Sequence, residues 1–412
     1  MQPTMAVVAP VLLGIAAFVV VRHLLVRLLW GPITQPDHNQ EKCRAGGNRV
    51  SSDGHSPSGI VRVIRLTDDG EFADRCELTD VLYEIRNPKK SELVVWYIHG
   101  WKHNAGDRDA DLRAFRLLVD ALENQQRELG ENRRHVVGIY IGWDGAVGPW
   151  FLRSLTFWNR KRAADRISQS AVLTRIFAST KFARMEAGND ITSRDLTIMI
   201  GHSFGARILY NATCQVLLDE VQRRHPGRRK ASYAEIKGQV DLIMLLNPAF
   251  EASMFSAMHA IRRTQWSEAI GLEQKPLLLA ISTNNDRATG WAFPVGQYLE
   301  FATRKRQCVT LGNYDDYVTH TLNAVSEPDS ASPDGFWFDR FTASGLQLKQ
   351  KEDCKQPGNP FIVARTTPDI IDGHSKIWTE PLRNWVICFL RRLQDPAVVS
   401  AIPSGRSSFL SP

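Results

Sequence analysis

The run Leu196–Ile200, followed by Gly201-His202-Ser203-Phe204-Gly205 and a helix-forming stretch from Ala206, constrains this chain more than any other feature. An apolar segment of strand length, a glycine-flanked turn centred on serine and a helical pattern describe a strand that reverses sharply into a helix. Such a turn strains the serine backbone and lifts its hydroxyl clear of the sheet edge. A Cβ at either glycine would press on the neighbouring strand or helix. The bare G-x-S-x-G pattern arises by chance in roughly one chain in ten of this length, so the other segments must supply the sheet that the turn requires.

Leu93–Ile98 is a continuous apolar run of buried-strand type that leads into His99-Gly100-Trp101-Lys102-His103-Asn104. Leu112, Phe115, Leu118 and Leu122 then recur at helical spacing, and Val136–Ile141 reads as a strand ending in Gly142-Trp143-Asp144-Gly145. Short opening strands are expected at Gly59–Leu66 and Val81–Arg86, joined by a turn at Asp68-Asp69-Gly70. Phe157–Arg184 is helical in composition, and Leu209, Ala212, Val216 and Leu217 form the expected buried stripe of the helix after Ser203. Val240–Leu246, Leu277–Ile281 and Phe361–Ala364 read as further strands, and Leu382–Leu393 as a closing helix. Strands alternating with helices predict an α/β fold with a mostly parallel central sheet and helices on both faces. With 412 residues, 43% of them hydrophobic, one large core of this kind can be filled.

Met5–Val21 is uncharged and almost wholly apolar, with Arg22, His23 and Arg27 on its C-terminal side. A cleaved signal peptide carries its charge before the apolar run, so residues 1–30 are expected to be a single transmembrane helix, with the arginines reaching back to the interface. Charge on that flank places the body in the cytoplasm. Residues 31–58 read as a flexible linker, residues 59–395 as the folded body and residues 396–412 as a disordered tail. The net charge of +7 is spread over several loops, with no basic stripe or motif for nucleic acid. Six cysteines without C-x-x-C spacing exclude a disulfide scaffold, and an absence of disulfides would suit a reducing compartment.

The strand–turn–helix around Ser203, together with Tyr97-Ile98-His99-Gly100-Trp101-Lys102-His103-Asn104 and Trp158-Asn159-Arg160-Lys161-Arg162-Ala163-Ala164, resembles the α/β-hydrolase superfamily, and within it a group of bacterial serine-esterase-like proteins. The resemblance covers roughly Gly59–Leu393. In that fold the chain order is nucleophile, acid, base. Asp286, after the second strand beyond Ser203, is the expected acid; Glu251, one strand earlier, is the alternative. His374, between the last strand and the closing helix, is the expected base, with His320 as competitor. The N–H groups of Phe204 and Trp101 are the expected oxyanion donors. His99-Gly100-Trp101 departs from the glycine-rich loop of one esterase class, and His103 and His202 are assigned no chemistry.

The resemblance implies a membrane-anchored serine hydrolase acting on carboxylic esters or thioesters without metal or cofactor. A non-catalytic binding protein and an acyltransferase are the alternatives, because this superfamily hosts many chemistries. Residues 145–185, with Trp150, Phe151, Leu155, Phe157 and Trp158, and residues 313–358, with Trp337 and Phe338, are candidate cap or lid elements. The basic loop Arg223–Lys230 is expected to face away from the site and to be solvated, or to meet anionic lipid.

Overall fold

The computed structural model describes residues 60–86, 91–130, 133–146, 156–186, 195–223, 240–264, 275–286, 304–325, 340–354 and 359–394. The apolar N-terminal segment, the linker, Trp150, Phe151, Leu155, residues 224–230, Trp337, Phe338 and the C-terminal tail lie outside them. Among the described residues no helix is long and apolar enough to cross a membrane.

Ten strands form one sheet: β1 (Ile60–Arg65), β2 (Glu92–Ile98), β3 (His135–Gly142), β4 (Leu196–His202), β5 (Leu242–Leu246), β6 (Leu278–Thr283), β7 (His320–Ala324), β8 (Arg340–Ala343), β9 (Leu346–Gln350) and β10 (Phe361–Thr366). Their order is β1-β3-β2-β4-β5-β6-β10-β7-β9-β8. Every pair from β1 to β7 along this order is parallel, and only β7–β9 and β9–β8 are antiparallel. The helices of two turns or more among the described residues are α1 (Arg75–Ile85), α2 (Ala110–Glu128), α3 (Phe157–Gln169), α4 (Val172–Glu186), α5 (Phe204–Arg223), α6 (Ser256–Thr264) and α7 (Glu380–Gln394).

Strand alternation sorts the core into two layers. Trp96 and Ile98 of β2, with Met199, Ile243 and Val363, face α1, α3, α4, α5 and α6. Leu93, Val95 and Tyr97 of the same strand, with Ile200, Met244 and Ile362, face α2 and α7. All seven residues of β2 are buried, which is why this strand reads as an unbroken apolar run.

Two expectations are corrected, at Val81–Arg86 and at Val216. Val81–Arg86 is the end of α1, not a strand: Asp74 caps the helix by accepting from the Cys76 N–H, and Val81 and Ile85 share a buried face at helical spacing. The described part of the segment before the last strand supplies β7 and the β8–β9 hairpin, which extend the sheet. Val216 is 39% exposed, whereas Leu209 and Leu217 are buried, so the α5 stripe is narrower than expected. Within residues 145–185, α3 and α4 bury Ala163, Ala164, Ile167 and Ile176 in the core, the packing of ordinary sheet-covering helices. Cys214, Cys308, Cys354 and Cys388 form no disulfide.

Candidate active site

The turn after β4 places Ser203 in the left-handed region, at φ 55°, a conformation uncommon for a residue with a side chain. Backbone bonds on both sides hold it there: its N–H donates to Leu246 O at 3.0 Å, and its carbonyl accepts from Arg207 and Ala249, each at 3.2 Å. A Cβ at Gly205 would collide with the carbonyl oxygens of Ile98 and His99. One at Gly201 would lie 2.7 Å from Ala206 Cα. Backbone at both positions cannot yield without parting α5 from β2 or β4. Gly205→Ala is therefore expected to destabilise the fold by about 3 kcal/mol, near the upper end for overpacking, measured by denaturant unfolding.

The topology brings Ser203, His374 and Asp286 together from three sheet-edge loops. Ser203 Oγ lies 2.6 Å from His374 Nε2, and His374 Nδ1 lies 2.6 Å from Asp286 Oδ2. The carboxylate accepts, so Nδ1 carries the ring hydrogen and Nε2 is free to accept from the hydroxyl. Ser203 and Asp286 are buried, and the His374 side chain keeps 14% of its surface exposed. A hydroxyl, an imidazole and a carboxylate in this series can transfer the serine proton while the acid holds the ring.

Phe204 opens α5, so its N–H belongs to the first turn, where intrahelical acceptors are lacking and the helix dipole favours negative charge. The loop bearing Trp101 is tied down from several sides. Trp143 donates its backbone N–H to His99 Nε2 at 3.0 Å and its indole N–H to His99 O at 2.9 Å, while Lys102 N–H donates to Gly145 O at 2.9 Å. Burial lowers the pKa of His99 to about 4, so it stays neutral and structural. Trp101 packs edge-on against Phe157, which in turn packs against Phe204. The two expected oxyanion residues thus flank one aromatic contact.

The alternatives lie elsewhere. Glu251 pairs with Arg207 Nη1 at 2.5 Å and Lys161 Nζ at 2.9 Å, far from the role of orienting His374. His320 is buried on β7 with Nδ1 2.8 Å from Thr319 Oγ1. Burial works to raise the Glu251 pKa, but Arg207 and Lys161 outweigh it and leave it at about 2. A carboxylate held below its ordinary value of 4.5 stabilises the fold above that pH, and the contribution is lost as pH falls through about 2. Glu251→Gln is expected to cost about 3 kcal/mol at neutral pH, with the difference from wild type vanishing below pH ~2 in urea titrations.

Among the described residues no group of three or more His, Cys, Asp or Glu is arranged to hold a metal ion. Residue reasoning missed the side chains that grip the base loop, His202, Asn247 and Asn285. Their roles run through backbone carbonyls and N–H groups, which leave no trace in side-chain spacing.

No protein-family model matches the chain, and no curated protein sequence matches it. A solved structure, the phospholipase PlaB from Legionella pneumophila in complex with thio-NAD, is similar at 12% identity and a TM-score of 0.32. The match covers 75% of this chain and spans 61% of the length of that one. A likeness this remote carries no functional weight, and the chemistry rests on the geometry of the site.

Proposed function

We propose that the protein is a serine hydrolase of the α/β-hydrolase type that cleaves carboxylic esters or thioesters through an acyl-enzyme on Ser203. The observation that supports it is the hydrogen-bonded series Ser203–His374–Asp286, with both links at 2.6 Å. In this reading His374 Nε2 takes the hydroxyl proton as Oγ attacks the carbonyl carbon, and the Phe204 and Trp101 N–H groups bind the oxyanion. The imidazolium formed is stabilised by Asp286 and returns its proton to the leaving alcohol or thiol. Water then attacks the acyl-enzyme with His374 again as base, releasing the acid and restoring the serine. A fluorophosphonate probe should label the full-length protein at neutral pH and leave Ser203→Ala unlabelled. Equal labelling of both, or none of either, removes the hydrolase reading and leaves a hydrolase-fold binding protein.

A further part of the reading comes from the N-terminal segment. Met5–Val21 is proposed to anchor the body to a membrane, so the full chain should stay with the membrane pellet in alkaline carbonate. The flanking positive charges support a cytoplasmic body. A protease added outside intact cells should leave the body undigested until the membrane is permeabilised, and digestion without permeabilisation overturns that placement.

A further inference from the structure

Two polar side chains converge on the backbone of the base loop. His202 Nε2 lies 2.9 Å from the carbonyl oxygen of His374. Asn247 Nδ2 donates to the same oxygen at 3.1 Å and to the Gly373 carbonyl at 3.0 Å. From the other side Asn285 Oδ1 accepts the Gly373 N–H at 3.0 Å. Asn247 also reaches the acid's strand, because its Oδ1 accepts the N–H of Thr283 at 3.0 Å and its own N–H donates to Ile281 O at 2.8 Å. One side-chain amide therefore links β6, which leads to Asp286, with the loop that carries His374.

The loop needs such a restraint. Gly373 sits at φ 73°, and nothing lies within 4 Å of where its Cβ would be, so its own residue type does little to hold the peptide ahead of the base. A carbonyl only accepts, so His202 carries its hydrogen on Nε2, and its buried Nδ1 has no hydrogen-bond partner, with Asp111 Oδ2 4.0 Å away. Burial first, and then the neighbouring His374, hold the His202 pKa well below its ordinary value. His202 thus remains a neutral donor rather than a second cation beside the ring that gains a proton.

We propose that Asn247 and His202 are positioning residues that keep the imidazole of His374 in register with both Ser203 and Asp286 by clamping the Gly373-His374 backbone. The inference rests on the Ser203 hydrolase reading and names residues that neither touch substrate nor exchange protons. Misplacing a reacting group by about 1 Å costs on the order of 10²-fold in rate, which sets the expected effect.

The test uses full-length protein in detergent and a short-chain p-nitrophenyl ester. Asn247→Gly suits the positive φ of 43° while removing the amide. It should lower kcat about 10²-fold with KM within about two-fold of wild type, and with the native circular dichroism spectrum retained. His202→Ala should act likewise, and His202→Gln, which keeps an N–H donor, should recover most of the rate. The double variant Asn247→Gly/His202→Ala should lose less than the product of the single losses, since both donors serve one carbonyl. A folded Asn247→Gly with wild-type kcat, or His202→Gln no faster than His202→Ala, overturns the clamp. If Asn247→Gly does not fold, the two His202 variants decide alone. Ser203→Ala separates the layers: turnover within about ten-fold of wild type there defeats the hydrolase reading, whereas a loss of about 10⁴-fold beside a fully active Asn247→Gly defeats only the clamp.

Discussion

Ser203→Ala is expected to lower kcat/KM on a short-chain p-nitrophenyl ester by about 10⁴-fold or more, with the unfolding midpoint unchanged. The change removes one oxygen atom from a buried residue whose backbone is held by three hydrogen bonds that do not involve the side chain. Alanine tolerates the left-handed φ about as poorly as serine does, so the elbow keeps its strain and its shape. What disappears is the hydroxyl bonded to His374 Nε2. Residual turnover of roughly 10³ to 10⁴ over water is expected to survive, because the oxyanion donors and the binding surface remain. Steady-state kinetics alongside urea unfolding distinguishes this outcome from simple loss of structure. Activity within about ten-fold of wild type would sink the acyl-enzyme mechanism.

The second large effect is expected from Asp286→Asn, at about 10⁴-fold in kcat near neutral pH with little change in KM. Asp286 Oδ2 accepts the Nδ1 hydrogen of His374 at 2.6 Å. An asparagine there can turn its amide N–H toward Nδ1, which moves the ring hydrogen to Nε2. Nε2 would then donate to Ser203 Oγ and could not take its proton. Glu251→Gln provides the contrast: its carboxylate serves Arg207 and Lys161, so that variant is expected to lose stability while keeping kcat. Should Glu251→Gln abolish turnover while Asp286→Asn leaves it intact, the acid has been assigned to the wrong strand.

The segments readable from sequence were those whose environment is uniform along their length. β2 and β5 are buried at every position, so their apolar runs carry the signal without any knowledge of partners. The α2 stripe Leu112, Phe115, Leu118 and Leu122 is wholly buried for the same reason. Val81–Arg86 failed because V-L-Y-E-I-R alternates as a strand does, and the decision lay upstream, in the Asp74 cap and the contact of α1 with the core. Strands β7, β8 and β9 were not legible because short, half-exposed strands at a sheet edge, such as Arg340–Ala343, have little apolar content of their own.

Local sequence determined the strained turn at Ser203 and the alternation of strands and helices. These follow from φ/ψ limits, periodicity and the small size of glycine, all properties of a few neighbouring residues. Only the tertiary structure decided that His374 rather than His320 meets Ser203, that Glu251 is spent on Arg207 and Lys161, and that Asn247 joins β6 to the Gly373-His374 loop. Each of these depends on distances between residues tens of positions apart, set by the β5-β6-β10-β7 strand order and by backbone carbonyls that every residue possesses.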